Sequence, residues 1–130
     1  MTIDLGKIQL LVKLTEPDLS LMEIMLHPGA DSGLHRHTRE RETFYVLEGV
    51  ITFALQGQAL VALKGESVSI PAHTLHRFQN SSSEIARAML ILNPGGLENY
   101  FIELRVLVEQ QAQAEAFLQL NAKYGLEFER

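Results

Sequence analysis

Punctuation constrains this chain more than any other feature. Segments rich in Val, Ile, Leu, Phe and Tyr occupy residues 19–27, 43–47, 50–55 and 59–63. Turn signals part them at Glu16-Pro17-Asp18, Pro28-Gly29, Glu48-Gly49, Gln56-Gly57, Lys64-Gly65 and Pro71. Gly and Pro interrupt regular structure through their backbone geometry, so runs this short between such signals read as strands. Many short strands from about Ile8 to Leu92, without alternating helices, predict an antiparallel sandwich or barrel.

The pattern changes at Asn93-Pro94-Gly95-Gly96. Beyond it Leu97, Tyr100, Phe101 and Leu104 recur at helical spacing. A second stretch, residues 111–124, is enriched in Ala and Gln and stops at Gly125. The expected organisation is therefore a β unit over residues 1–94 and a helical tail over 95–130. An amphipathic tail exists to bury its apolar face, so it is expected to pack on the outside of the barrel or on a second subunit. The alternative has Tyr100 and Phe101 closing a ligand pocket as a lid.

Size and composition narrow the function classes. A chain of 130 residues suits one compact domain, and 46% apolar residues suffice for a core. The net charge of −5 with mixed signs argues against a nucleic-acid binder, which would show a basic face. Without cysteine there is no disulfide or thiolate zinc site, so any metal must be held by His, Asp or Glu. The N-terminus lacks the basic leader of a signal peptide, and no stretch is long and apolar enough to span a membrane. The expectation is a soluble, cytoplasmic protein.

Four of the five histidines fall in two tight groups, His35 with His37 and His73 with His76. Strand side chains alternate in direction, so His35 and His37 point to the same side and their rings can converge. In the next strand Glu42 shares a face with Phe44 and Val46, which suggests that it points inward. An unpaired inward carboxylate is costly. Either a metal ion or a salt bridge to Arg39 or Arg41 would remove that cost. His76 shares its face with Phe78 and Asn80.

These residues resemble the two sequence motifs of the cupin superfamily. Gly29, His35, His37, Glu42 and Gly49 stand in the order and register of the first motif. Gly65, Pro71, His76 and Asn80 stand in those of the second. The chain departs once, with His73 where the family usually has Gly. The resemblance runs from about Leu19 to Leu92 and implies an all-β cupin jelly-roll barrel, here with a C-terminal helical tail. It implies that His35, His37, Glu42 and His76 are metal ligands, and that the protein is a homodimer. The tail itself looks like that of small bacterial cupins described as quercetin-dioxygenase-like.

Three imidazoles and one carboxylate suit a single divalent transition-metal ion: iron, nickel, manganese, cobalt, copper or zinc. Calcium and magnesium prefer oxygen shells. The leading expectation is an oxidoreductase of the dioxygenase kind acting on a small enolic or aromatic substrate. Glu42 would serve as general base, with Phe44 and Phe78 as pocket walls. The alternatives are a non-redox metal-dependent isomerase or lyase, and a small-molecule-binding cupin without turnover. His73 is expected in an exposed turn, with a supporting role beside the metal as the alternative. His27 is expected to be structural, and Arg36 and Arg77 to face away from the ligands.

Overall fold

A computed structural model describes residues 1–129. The strands are β1 (Thr2–Asp4), β2 (Ile8–Glu16), β3 (Leu19–Leu26), β4 (His35–His37), β5 (Arg41–Glu48), β6 (Ile51–Leu55), β7 (Gln58–Ala62), β8 (Ser67–Ile70), β9 (His76–Gln79) and β10 (Ala86–Asn93). Two helices, α1 (Glu98–Glu109) and α2 (Ala114–Lys123), then lead into a last strand, β11 (Leu126–Phe128). A six-stranded sheet has the order β1-β2-β3-β10-β5-β8, and a five-stranded sheet the order β11-β4-β9-β6-β7. All pairings are antiparallel, so the chain forms the two-sheet jelly roll that the turn pattern and the motif resemblance predict.

The core follows from strict alternation. On β3 the residues Ser20, Met22, Ile24 and Leu26 point inward, and on β10 so do Ala86, Ala88, Leu90 and Leu92. The small alanines leave room for three phenylalanines between the sheets. Phe44 packs on Phe53 with ring centroids 5.0 Å apart and on Phe78 at 5.1 Å. Offset and edge contacts of this kind suit the aromatic quadrupole.

The tail shares that core. Leu97, Tyr100, Leu120 and Leu126 are all buried within the same apolar cluster as the strands. Ser20 on β3 ties the start of α1 down: its hydroxyl donates to the Glu98 carboxylate and accepts the Gly96 N–H at 2.8 Å. The second helix begins at Ala114, later than residue 111, because Gln111 adopts a left-handed φ of 53° just after α1 ends. Gly125, at φ 73°, ends α2 and turns the chain directly into β11. Neither β1 nor β11 is visible as a strand in the sequence pattern. Each is three residues long and is held by its pairing: β1 to the strand that follows it, with Ile3 opposite Leu10, and β11 to a distant segment, with Leu126 opposite His37.

Candidate metal centre

β4 and β9 are neighbours in the five-stranded sheet, and His35 lies directly opposite His76. Glu42 comes from the other sheet, where it pairs with Ile70 on β8 and Leu92 on β10. The two sheets therefore meet at four buried polar side chains, each at most 4% exposed. One ligand atom from each of His35, His37, Glu42 and His76 lies within 4.8 Å of all the others. His35 Nε2 stands 3.2 Å from His37 Nε2. His76 Nε2 is 3.0 Å from one Glu42 oxygen, and His37 Nε2 is 3.6 Å from the other. Glu42 makes no ion pair with Arg39 or Arg41 among the described residues; Arg41 instead donates to Ser69 Oγ at 3.1 Å.

The outward ring nitrogens decide the tautomers. His35 Nδ1 is 2.8 Å from the Gly33 carbonyl, and His76 Nδ1 is 2.8 Å from the Thr74 carbonyl. A carbonyl oxygen only accepts, so both Nδ1 atoms carry protons and donate. With Nδ1 engaged outward, Nε2 is the nitrogen that each of these rings turns to the centre. Three ring nitrogens and the carboxylate oxygens converge there within 4.8 Å of one another. Such a set demands a cation, either a metal ion or a proton, and the mixed nitrogen–oxygen donors fit a borderline divalent ion.

Charge in the cluster follows the same logic. Burial pushes the His35 imidazolium down to about 4, against the pull of Glu42, so this ring is neutral near pH 7. Burial also penalises a charged His37, but Glu42 and Glu40 on either side of it win and raise its pKa. Burial alone would raise the Glu42 carboxyl. His37 and His76 outweigh it and hold Glu42 below its ordinary range.

His35, His37 and Glu42 line a cavity of about 260 Å³. Its walls include Ile24, Phe78, Leu90, Tyr100, Phe101 and Leu126, and among the described residues no lysine or arginine lines it. Phe78 is therefore a wall residue. Phe44, expected beside it, is not: it is fully buried one layer deeper, beneath Phe78 and against Phe53. Sharing a face with Glu42 fixes the side on which Phe44 points but not its depth. Tyr100 and Phe101 combine the two roles weighed for the tail, since both pack on the barrel and line the cavity. A larger open groove of about 810 Å³ lies outside the barrel between α2 and β11 and contains none of the four clustered residues.

The remaining histidines stay outside. His73 is exposed, with a left-handed φ of 69°, the conformation that explains why glycine suits this place; its backbone N–H donates to the His37 carbonyl at 2.7 Å. His27, just after β3, contacts Gln9 on β2 at 3.2 Å. Arg36 points out toward Glu127 and Glu129, and Arg77 pairs with Asp31.

Two neighbours of the cluster were not legible as site residues. Phe128 stacks on the His35 ring, centroids 5.0 Å apart and planes 24° apart. The alternation of Leu126 and Phe128 after a helix-stop glycine was the only available signal. Glu40, which reads as part of a polar loop, is 5% exposed, and its Oε1 stands 3.7 Å from His37 Nδ1. Neither of those two atoms has a hydrogen-bond partner among the described residues.

Comparison with known proteins agrees with this geometry. The chain is 34% identical over 67 residues to quercetin 2,3-dioxygenase of Bacillus subtilis, covering 52% of this chain and 20% of that protein. It is 31% identical over 70 residues to the polyketide synthase CurC of Streptomyces cyaneus, covering 54% and 46%. The chain thus spans from a fifth to about half the length of the curated relatives it matches. Among solved structures, KdgF from Halomonas sp. superposes with a TM-score of 0.70 at 22% identity, covering 76% of this chain and 92% of that one, a likeness of fold. Residues 22–92, more than half of the chain, match the family model described as a cupin domain, and they contain both sheets' contributions to the cluster: this chain belongs to the cupin family.

Proposed function

We propose that this chain is a metal-dependent enzyme of the dioxygenase kind, acting on a small enolic or aromatic molecule in the cavity above His35, His37, Glu42 and His76. The observation that carries the reading is the pairing of an inward-facing set of three imidazoles and a carboxylate with an apolar, aromatic-walled chamber that no lysine or arginine lines among the described residues. A divalent transition ion at these residues supplies Lewis acidity and an orienting charge for an enol or phenol oxygen. Phe78, Tyr100 and Phe101 offer flat apolar surface and exclude water around such a ligand. Glu42, ionised and held below the ordinary carboxylate range, is a weak base. That suits it to accept a proton from an acidic enol or phenol rather than from an alcohol. At about 260 Å³ the chamber equals the liquid volume of about nine waters, which favours a one- or two-ring molecule. The dioxygenase relative in Bacillus subtilis points in the same direction, over part of its length.

A non-redox isomerase or lyase acting on sugar-like or keto acids fits less well. Phosphate and carboxylate groups call for Lys or Arg, and the polar groups lining the chamber beyond the cluster include Asp31 and Ser32, with Asp31 already paired to Arg77. The homodimer implied by the motif resemblance belongs to the same proposal, and sedimentation velocity measures it directly.

The test is metal content of tag-free protein, wild type against His35→Ala, followed by oxygen uptake with a panel of small enols and catechols. One transition-metal ion per chain, lost in the variant, with oxygen consumed alongside substrate, is the expected result. Turnover without oxygen uptake would move the chain to the isomerase or lyase class. Absence of metal after loading would leave a binding protein.

A further inference from the structure

The three histidines of the cluster are oriented by two different kinds of partner. Those of His35 and His76 are backbone carbonyls, which are neutral and 2.8 Å away. His37 has no carbonyl at its outward nitrogen. It has the Glu40 carboxylate, three residues further along the chain and buried with it, at 3.7 Å. Both facing atoms lack any partner among the described residues, in a place where water is excluded. A buried unpaired N–H and a buried unpaired carboxylate oxygen each carry a desolvation penalty that one hydrogen bond between them removes.

We propose that Glu40 is the positioning residue of the metal centre, accepting the Nδ1–H of His37 and so presenting its Nε2 to the ion. The inference rests on the four-residue metal reading above and extends it to a residue outside that set. A ring that gives its Nε2 lone pair to a metal must keep its proton on Nδ1, and a carboxylate acceptor there makes the ring a stronger donor than a carbonyl does. A short movement of the Glu40 side chain, which sits on the turn between β4 and β5, closes the gap. Glu40 also completes the charge balance. A divalent ion brings two positive charges into a buried site, and Glu42 and Glu40 together supply two negative ones, while the three rings stay neutral.

The experiment uses the full chain loaded with zinc, which is diamagnetic. Zinc affinity is measured by chelator competition for wild type, Glu40→Ala and Glu40→Gln, and ring N–H protons are recorded by NMR on the same samples. Wild type should show three hydrogen-bonded ring N–H signals from the cluster, with any signal from His27, which contacts Gln9, identified by its loss in Gln9→Ala. Glu40→Ala should lose the His37 signal alone, keep the two held by Gly33 and Thr74, and bind zinc about 10- to 100-fold more weakly. Glu40→Gln keeps the shape and an acceptor oxygen. It should retain the third signal and fall between the other two in affinity, which guards against a folding defect in the alanine variant. Unchanged affinity in Glu40→Ala, or weaker binding with all three signals still present, would overturn the positioning role and leave the four-residue site standing. Wild-type protein that takes up no zinc would overturn both.

Discussion

Gly49 closes β5 with a φ of +77°, and a methyl group there would meet the Ile85 carbonyl oxygen at 2.7 Å and Ala86 Cα at 2.9 Å. Both obstacles are backbone at the start of β10, beside the register shift in the β10–β5 ladder, so neither can swing away as a side chain would. Gly57, in the β6–β7 turn, has a similar φ of +81° but nothing within 4 Å of the added carbon. The pair separates two costs of replacing glycine. Left-handed backbone costs a residue with a side chain about 1–2 kcal/mol, and this applies equally to Gly49→Ala and Gly57→Ala. Overpacking against fixed backbone adds about 1–3 kcal/mol, and it applies to Gly49→Ala alone. The expected losses are therefore about 2–5 kcal/mol against about 1–2 kcal/mol. For a chain of this size a difference near 2 kcal/mol lowers the melting temperature by roughly a further 6–10 °C. Urea unfolding followed by circular dichroism reads both variants, provided the slopes stay equal. If the two lost the same stability within about 0.5 kcal/mol, the close approach at Gly49 would be energetically empty and the argument from sterics wrong.

Burial pushes the Tyr100 hydroxyl up to about 12, whereas an unfolded tyrosine ionises near ~10. A raised folded value means that stability is intact below the unfolded pKa and is lost as pH rises through about 10 to 12. Wild type should thus weaken in urea over that alkaline range more steeply than Tyr100→Phe, and equal slopes would contradict the burial argument. Metal affinity should respond to pH through His37, whose raised pKa makes its proton the competitor of the ion. Binding should strengthen as pH rises through the region above the free-histidine value of 6.5 and then level off, and His35, neutral down to about 4, should add nothing there. Chelator competition across that range checks it, and affinity independent of pH would show that no proton is displaced.

Much of this molecule was legible before its structure because the relevant physics is local. Turn residues mark where strands stop, alternation tells which side a residue takes, and spacing two apart places His35 and His37 together. The family motifs gave the partners of that pair for the same reason: they preserve register within each strand. The boundary errors are local too, as at Gln111, where a left-handed residue with no glycine signature delays α2.

What stayed hidden depends on how far along the barrel each strand lies relative to its neighbours. Alternation assigned Phe44 and Glu42 to the same inward side, yet Glu42 meets His76 from 34 residues away while Phe44 lies in the core beneath Phe78. Depth is set by pairing across the sheets, which no window of sequence contains. The same holds for Phe128 over His35, brought there by a three-residue strand that exists through its pairing with β4, and for Tyr100 and Phe101, whose helical spacing announced an apolar face without saying what it covers. Glu40 is the plainest case. Its neighbours in the chain, Arg39 and Arg41, are exposed, and it is the turn between β4 and β5 that tucks its carboxylate behind His37. Short-range geometry is written into each strand, whereas the environment of a side chain is made by segments that meet only when the two sheets close on one another.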